Sequence, residues 1–324
     1  MSASHHLEHA ALPGLAEVRT AAARLAARAR VTPILRSDAL DVLAGARLHF
    51  KCEHLQHSGA FKFRGACNAV WSLDETQAAR GVVTHSSGNH GQALALAAAS
   101  RGIPAHVVVP EGAVRAKVAA IEAAGARIYR CAPTQAAREA EAARVADATG
   151  ATMVHPYTDP RVIAGQGTVA LELLQGVPSL DMLLTPVGGG GLAAGCAIAA
   201  QALRPDLTLL AAEPAGADDT ARSLRAGRRV TDFVPDTVCD GLRATVGAPN
   251  FAVLQACGVA VLTVTDAQVL AAMRLLWREL RQVVEPSSAT VMAAVLAHPH
   301  VFAGREVGVV LTGGNVDLDA LPFL

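Results

Sequence analysis

The sequence predicts an α/β protein made of two open, doubly wound lobes with mostly parallel sheets. From Gly81 onward, short β-branched runs, glycine-rich turns and alanine-rich stretches with helical periodicity repeat in one order, which is typical of parallel strands joined by crossover helices. The alanine-rich stretches suit helices that cover a sheet on both faces. The length of 324 residues exceeds the usual size of one hydrophobic core, which favours two lobes.

Strands and helices are expected in a regular order along the chain. The predicted strands are residues 82–84, 105–109, 127–129, 182–185, 207–212, 259–264 and 307–311. The predicted helices begin at Gln92 or cover residues 113–124, 135–148 and 192–203. Residues 150–160 mix glycine, proline, threonine and aspartate, and we expect them to return the chain from a small lobe to a larger one.

Composition excludes several classes of partner. Lysine plus arginine and aspartate plus glutamate number 28 each, and no basic run alternates with aromatic residues, so no nucleic-acid partner is expected. No stretch of about twenty residues is apolar without interruption, so no membrane span is expected. The six cysteines have no metal-binding spacing and the N-terminus lacks a signal-peptide pattern, which predicts a cytoplasmic protein with free thiols. The expected partner is a small molecule.

Lys62 stands between two phenylalanines in residues 58–65, which read Ser-Gly-Ala-Phe-Lys-Phe-Arg-Gly. Desolvation lowers the pKa of an ammonium group, and a neutral amine is the form that attacks an aldehyde. Lys62 is therefore a candidate nucleophile. Taken alone, the motif fits a surface lysine at the start of a helix better.

Residues 86–91 read Ser-Ser-Gly-Asn-His-Gly and lie between a predicted strand and an apolar helix. Short polar side chains and two glycines expose backbone N–H groups at a helix N-terminus, where an anion such as a carboxylate binds well. An ordinary Ser or Asn helix cap has the same pattern. The candidate substrate-binding residues of this segment are Ser86, Ser87, Gly88, Asn89 and His90.

Four successive glycines open the predicted helix that follows the strand at residues 182–185: Gly188, Gly189, Gly190 and Gly191. A structural turn needs one or two glycines, so four predict a backbone that approaches a phosphate closely. The same segment fits the dinucleotide pattern G-x-G-x-x-A at residues 189–194, with Glu213 at the spacing of a ribose-binding acid. A nicotinamide-dependent oxidoreductase is therefore the alternative, although it leaves Lys62 and Asn89 without a role.

The last motif, residues 312–315, reads Thr-Gly-Gly-Asn and follows the predicted strand at residues 307–311. It places the Thr312 hydroxyl at the carboxyl end of a strand, where ligands of open α/β sheets bind. A plain strand-to-loop turn explains the motif equally well when it is taken alone.

Together, these four motifs in this order resemble the fold-type II pyridoxal phosphate enzymes, and among them the serine racemase and serine/threonine dehydratase family. The resemblance runs from Arg30 to Asp317. It implies a tryptophan synthase β-like fold, with a large cofactor-binding lobe of residues 1–74 and 158–324. It also implies a small mobile lobe of residues 75–157 that closes over the substrate, and a homodimer.

The resemblance also implies roles for the motif residues. Lys62 would bind pyridoxal phosphate as a Schiff base and act as the base on one face of the substrate Cα. Ser87 would be the acid or base on the opposite face. Asn89 would hydrogen-bond the phenolic oxygen of the cofactor, residues 188–191 would hold its phosphate, and Thr312 would face its pyridine nitrogen.

Further roles are implied outside these motifs. Phe61 and Glu285 would lie beside the cofactor, and Arg138 would reach the substrate carboxylate or a similar anion. Three oxygen donors resemble a site for Mg²⁺, Mn²⁺ or Ca²⁺: the Glu213 carboxylate, the Ala217 carbonyl and the Asp219 carboxylate. An acidic helix N-terminus is the plainer explanation for the two carboxylates. Tyr157 stands where serine racemase has an asparagine, which leaves the substrate open.

The implied reaction is β-elimination from a hydroxy amino acid such as L-serine or L-threonine, giving a 2-oxo acid and ammonia. Return of a proton from Ser87 would instead give the other enantiomer, so racemase activity is also expected. A hydroxyl at Thr312 does not enforce protonation of the pyridine nitrogen, which favours these reactions over transamination. Alternatives within the family are serine racemase, 3-hydroxyaspartate dehydratase and phenylserine dehydratase.

Overall fold

The structure is a computed structural model that describes residues 12–113 and 115–317, apart from the side chain of residue 116. Its strands are β1 (Ile34–Leu35), β2 (Arg47–Cys52), β3 (Val82–His85), β4 (Ala105–Pro110), β5 (Arg127–Cys131), β6 (Thr152–Met153), β7 (Met182–Pro186), β8 (Thr208–Pro214), β9 (Ala260–Val264) and β10 (Glu306–Leu311). None of the described helices is long and apolar enough to cross a membrane.

The helices connect these strands and cover both sheets. They are α1 (Leu15–Leu25), α2 (Asp38–Ala44), α3 (Lys62–Trp71), α4 (Glu75–Arg80), α5 (Asn89–Arg101), α6 (Arg115–Ala123), α7 (Gln135–Thr149), α8 (Pro160–Gly176), α9 (Gly191–Leu203), α10 (Asp219–Ala226), α11 (Ala248–Ala256), α12 (Asp266–Leu275), α13 (Pro286–Ala297) and α14 (Pro299–Phe302). A π-helical turn, Leu276–Leu280, follows α12.

The strands form two sheets, with the orders β1-β2-β10-β7-β8-β9 and β5-β4-β3-β6. The short edge strand β1 pairs antiparallel with β2. The neighbouring pairs in the rest of both sheets are parallel. The predicted fold class is therefore confirmed. Because the strands are parallel, their carboxyl ends meet at one edge of each sheet, where ligands bind.

The seven predicted strands are present, with ends that shift by one or two residues. Strand β2 was not predicted, because two of its buried side chains are polar. Lys51 Nζ donates hydrogen bonds to Thr32 O at 2.7 Å and to Glu172 Oε2 at 2.6 Å, and His49 contacts Glu306 Oε1 at 2.8 Å. The predicted start of the helix at Gln92 is wrong, since α5 begins at Asn89.

Helix α3, which begins at Lys62, is held by a buried ion network. Arg64 Nε donates to Glu53 Oε2 at 2.7 Å, and its Nη1 donates to Glu172 Oε1 at 2.6 Å. Removal of one partner from such a buried pair leaves an uncompensated charge, so the network resists rearrangement. A Cβ on Gly65 would lie 2.8 Å from Val162 O, which shows how closely α3 approaches α8. The ion network and the close packing on α8 therefore both fix helix α3, which begins at Lys62.

Candidate active site

The predicted site residues meet where strands of both sheets end. Residues 86–88 follow β3, residues 188–191 follow β7, and Thr312 follows β10. Phe61 N donates to Thr312 O at 2.9 Å, which ties the start of α3 to the end of β10. Asn315 Nδ2 donates to Asn89 Oδ1 at 2.9 Å. This bond joins the segment after β10 of one sheet to the segment after β3 of the other.

Lys62 has the surroundings of an amine that is kept partly neutral. Its Nζ donates to Pro156 O at 2.9 Å and lies 5.1 Å from the centre of the Phe61 ring. Burial lowers the pKa of Lys62 to about 8. The sequence contains three lysines, and the other two pair with carboxylates, Lys51 with Glu172 and Lys117 with Asp240. No carboxylate of the described chain pairs with Lys62.

Two histidines near Lys62 are held neutral. Burial lowers the pKa of His155 to about 3, with smaller effects from the charges of His85 and Lys62. Burial also lowers the pKa of His90, and the Lys62 charge lowers it further. The Nδ1 atom of His155 accepts the Thr158 N–H at 3.1 Å, which orients the ring. The same burial that keeps these rings neutral surrounds Lys62 and disfavours its ammonium form.

The segment from Ser86 to His90 leads into a helix start whose backbone donors have no carbonyl acceptor in the described chain. Helix α5 begins at Asn89 without a side-chain cap, and the N–H groups of residues 89–91 donate to no carbonyl of the described chain. A Cβ on Gly91 would lie 2.1 Å from Ser86 O, so only glycine allows this tight turn. Ser87 is half-buried at the start of this turn. The open N-terminus of a 13-residue helix suits a carboxylate.

Asn89 is fixed at both ends of its amide. Its Nδ2 donates to the two carboxylate oxygens of Glu285 at 3.0 and 3.2 Å, and its Oδ1 accepts from Asn315. Asn315 Nδ2 also donates to Ser58 O at 2.8 Å. Burial, and secondarily the charge of Asp240, raise the pKa of Glu285 to about 7. The series of hydrogen bonds that runs from Glu285 through Asn89 and Asn315 to Ser58 therefore sets the orientation of Asn89.

The glycine segment 188–191 forms a closely packed turn before α9. A Cβ on Gly188 would lie 2.7 Å from Leu242 Cα, and one on Gly189 would lie 2.5 Å from the Tyr157 ring. Gly190 has a φ of 87°, in the left-handed region that favours glycine. Asn250 Nδ2 donates to Gly189 O at 2.6 Å and to Tyr157 O at 2.9 Å, which holds the turn in place.

This turn fits a phosphate group. Val187 N donates to Ala212 O and Ala194 N donates to Gly190 O, but the six amides between them donate to no carbonyl of the described chain. They lie at the N-terminus of α9, a 13-residue helix whose dipole attracts an anion. Together with the amine of Lys62, the turn offers the two functions that an aldehyde-bearing phosphate ester requires.

Thr312 and Arg138 lie on different elements and differ in burial. Thr312 is buried at the end of β10. Arg138 is half-buried on α7, and its Nε donates weakly to Thr134 O at 3.4 Å. Burial raises the pKa of Tyr157, and the positive charge of Arg138 is close enough to oppose this effect. Arg138 thus lies within electrostatic range of Tyr157.

The candidate cation donors lie together at the end of β8. Glu213 Oε1 accepts the Ala221 N–H at 2.6 Å, and Asp219 Oδ2 accepts the Val246 N–H at 2.8 Å. Asp219 Oδ1 is buried without a hydrogen-bond partner in the described chain, and no described backbone amide donates to Ala217 O. Burial raises the pKa of Glu213 to about 8 and that of Asp219 to about 6.

Local sequence patterns do not reveal some residues of the site. Asn250 braces the glycine turn, and Pro156 O accepts from Lys62. Lys117 and Asp240 form an ion pair beside the site. No motif marks the first two residues, because they act through contacts with distant parts of the chain. The scarcity of lysine in the sequence could have singled out Lys117.

A family model described as pyridoxal-phosphate dependent enzyme matches residues 25–313. A β-hydroxyaspartate dehydratase from Paracoccus denitrificans (strain Pd 1222) is 47% identical over 312 residues, which cover 96% of this chain and 99% of that protein. A serine racemase from Arabidopsis thaliana is 47% identical over 295 residues, with 90% and 89% covered. The solved structure of maize serine racemase superimposes with a TM-score of 0.92 at 42% identity and covers 95% of both chains.

Proposed function

The chain belongs to the family of pyridoxal-phosphate dependent enzymes, and we propose that it removes water from a 3-hydroxy amino acid and releases a 2-oxo acid and ammonia. The observation that carries this proposal is Lys62, a buried amine with a pKa of about 8 whose charge acts on His90 and which pairs with no carboxylate of the described chain. The similar proteins are a dehydratase and racemases, which supports elimination together with racemisation. Membership of this family argues against the alternative of a nicotinamide-dependent oxidoreductase.

The site residues would hold the cofactor at opposite ends. When bound, the cofactor supplies an electron sink that stabilises negative charge at the substrate Cα. The free amides of residues 188–191 would bind the phosphate, and Lys62 would bind the aldehyde carbon. Phe61, Asn89 and Thr312 would position the ring between these two ends.

Lys62 and Ser87 would move the proton at the substrate Cα. A pKa of about 8 allows Lys62 Nζ to take and return a proton near neutral pH. Lys62 would act on one face of Cα and Ser87 on the other, so that a proton taken on one face and returned on the other inverts the enantiomer. The amides at the start of α5 would hold the substrate carboxylate, and Arg138 would add positive charge at the edge of the cleft.

A panel of substrates tests the proposed function. The enzyme loaded with pyridoxal phosphate should release ammonia and a 2-oxo acid from at least one of L-serine, D-serine, L-threonine, 3-hydroxyaspartate and 3-phenylserine. L-alanine, which has no leaving group on Cβ, should yield neither product. The readouts are coupled oxo-acid and ammonia assays and chiral chromatography of the remaining amino acid. Failure of every hydroxy amino acid with a fully loaded enzyme would refute the proposal.

We also propose that Glu213, Ala217 and Asp219 hold a divalent cation that stabilises the large sheet near the glycine turn. The support is chemical, since two carboxylates and a free carbonyl are the hard oxygen donors that Mg²⁺, Mn²⁺ and Ca²⁺ prefer. The unpartnered Asp219 Oδ1 adds to this support, because a buried carboxylate oxygen without a partner is costly. Water molecules would complete the coordination.

Cation binding should raise thermal stability in a pH-dependent way. The raised carboxyl pKa values favour the folded state at low pH, and this contribution is lost as pH rises through about 6 for Asp219 and about 8 for Glu213. A cation replaces the lost protons, so its effect should grow between pH 6 and pH 8. At a hundredfold excess over Kd, it should add about 2.7 kcal/mol to the free energy of unfolding.

Thermal melts with and without Mg²⁺, Mn²⁺ or Ca²⁺ measure this effect. Asp219→Asn should lose most of the cation-dependent rise in Tm. Asp218→Asn is the matched control, because Asp218 pairs with Arg222 on the same segment and is not a proposed ligand. An equal rise in Tm for the wild type and Asp219→Asn would refute this cation site.

A further inference from the structure

Lys117 and Asp240 form an ion pair between parts of the chain that belong to different sheets. Lys117 lies on α6, which connects β4 to β5 of the four-stranded sheet. Asp240 begins the short 3-10 helix Asp240–Leu242, which belongs to the connection between β8 and β9 along the chain. Both strands are part of the six-stranded sheet. The pair therefore links a connection of the four-stranded sheet to a connection of the six-stranded sheet.

The segment that carries Asp240 lies directly against the site. A Cβ on Gly188 would lie 2.7 Å from Leu242 Cα, so this short helix packs on the glycine turn. On its other side, Gly241 N donates to Ser287 Oγ at 3.0 Å, two residues from Glu285. Asp240 therefore occupies a position between the glycine turn and the carboxylate that holds Asn89.

Glu285 lies close to the segment that carries Asp240, since a Cβ on the neighbouring Gly241 would lie 3.8 Å from Glu285 Oε1. Apart from burial, the charge of Asp240 is the main influence that raises the pKa of Glu285, and the charge of Lys117 lowers it. In the part of the chain that the structure describes, the other groups that contact its carboxylate are uncharged: the Asn89 amide and the backbone at Gly313 and Asn315. Lys117 thus offsets the effect of Asp240 on the carboxylate that receives the Asn89 amide.

We propose that the ion pair of Lys117 and Asp240, called the latch below, holds the connections of the two sheets together and positions Asn89, through Glu285, for the bound substrate. The side chains are 25% and 43% exposed, so solvent screens the pair and it contributes little to global stability. Such a weak contact can still bias a closed arrangement over an open one, because a few-fold shift in population changes the apparent affinity by the same factor. The proposal rests on the proposed function for its kinetic assay alone.

The geometry of Asn89 explains why the charge of Glu285 matters. Asn89 Nδ2 donates to both carboxylate oxygens, and an ionised carboxylate accepts at both of them. A protonated Glu285 carries a donor at one oxygen and loses this match. With the pKa of Glu285 at about 7, the ionised form declines as pH falls through neutrality, which gives activity an acid limb.

Charge variants of the pair test the latch on the enzyme loaded with pyridoxal phosphate. Lys117→Ala leaves Asp240 unopposed, so the acid limb of kcat/KM should move to higher pH, with KM raised up to about fivefold. Asp240→Asn should move the limb to lower pH. The double variant should return toward the wild-type limb, and Lys117→Arg should retain it. Arg115→Ala removes an exposed charge from the same helix and should leave the limb unchanged.

Hydrogen exchange of the loaded enzyme without substrate provides a readout that does not depend on activity. The amides of α6 should exchange severalfold faster in Lys117→Ala and Asp240→Asn than in the wild type and Arg115→Ala. Unchanged exchange in both pair variants, or limbs that move in the same direction in both, would overturn the latch. Because exchange needs no turnover, failure of the proposed reaction would be seen separately, in the substrate panel.

Discussion

Replacement of Lys62 by alanine is expected to lower kcat/KM by at least about 10⁴-fold, because the variant loses both the amine that binds the cofactor and the base at Cα. The variant should also lack the visible absorption that a lysine-bound cofactor gives. Steady-state formation of the 2-oxo acid and an absorption spectrum of the purified protein measure these two effects.

The fold should survive this substitution. Lys62 Nζ makes its hydrogen bond to Pro156 O, whereas the ion network of α3 depends on Arg64, Glu53 and Glu172. Thermal unfolding of Lys62→Ala should therefore resemble that of the wild type, and Lys117→Arg should keep the visible absorption. Turnover at the wild-type rate in Lys62→Ala would exclude Lys62 as the catalytic amine.

Ser87→Ala is expected to separate racemisation from elimination. Racemisation should fall by about 10²–10⁴-fold, the usual contribution of a general acid or base. Elimination from the enantiomer whose proton Lys62 takes should fall less than about tenfold, because it needs no group on the other face. Chiral chromatography and oxo-acid assays on the same reaction mixtures give both rates.

Ser86→Ala serves as the matched control for Ser87. Ser86 belongs to the same turn and its Oγ accepts the Gly88 N–H at 3.4 Å, so its loss should weaken substrate binding without changing the ratio of the two reactions. An unchanged ratio in Ser87→Ala as well would place the second acid or base elsewhere.

The predicted strands agree with the observed ones where the buried side chains of the strand are apolar. Strands β3, β4, β7 and β10 carry β-branched and leucine runs, and local pattern was sufficient to find them. Strand β2 was missed because Lys51 and His49 interrupt the apolar pattern. Their burial depends on Glu172 and Glu306, more than a hundred residues away, and no local pattern contains that information.

The site was predicted in part for the same reason. Motifs at strand ends pointed to the segment 86–91, the glycine turn and Thr312, because parallel strands bring their carboxyl ends together. The role of Lys62 was predicted only from the resemblance that the four motifs carry together. Asn250 and the Lys117–Asp240 pair were missed, since each acts through a contact between distant segments. The lobe boundaries at residues 74 and 157, the homodimer and the cytoplasmic location stay predictions.

The most direct test of the central claim is to find which lysine holds the cofactor. The protein is incubated with pyridoxal phosphate, reduced with borohydride to fix the linkage, digested and examined by peptide mass spectrometry. The sequence contains three lysines, so the assignment is unambiguous. We predict a phosphopyridoxyl group on Lys62 and unmodified Lys51 and Lys117. A label on either of those two lysines in place of Lys62, or no label at all, would contradict the account.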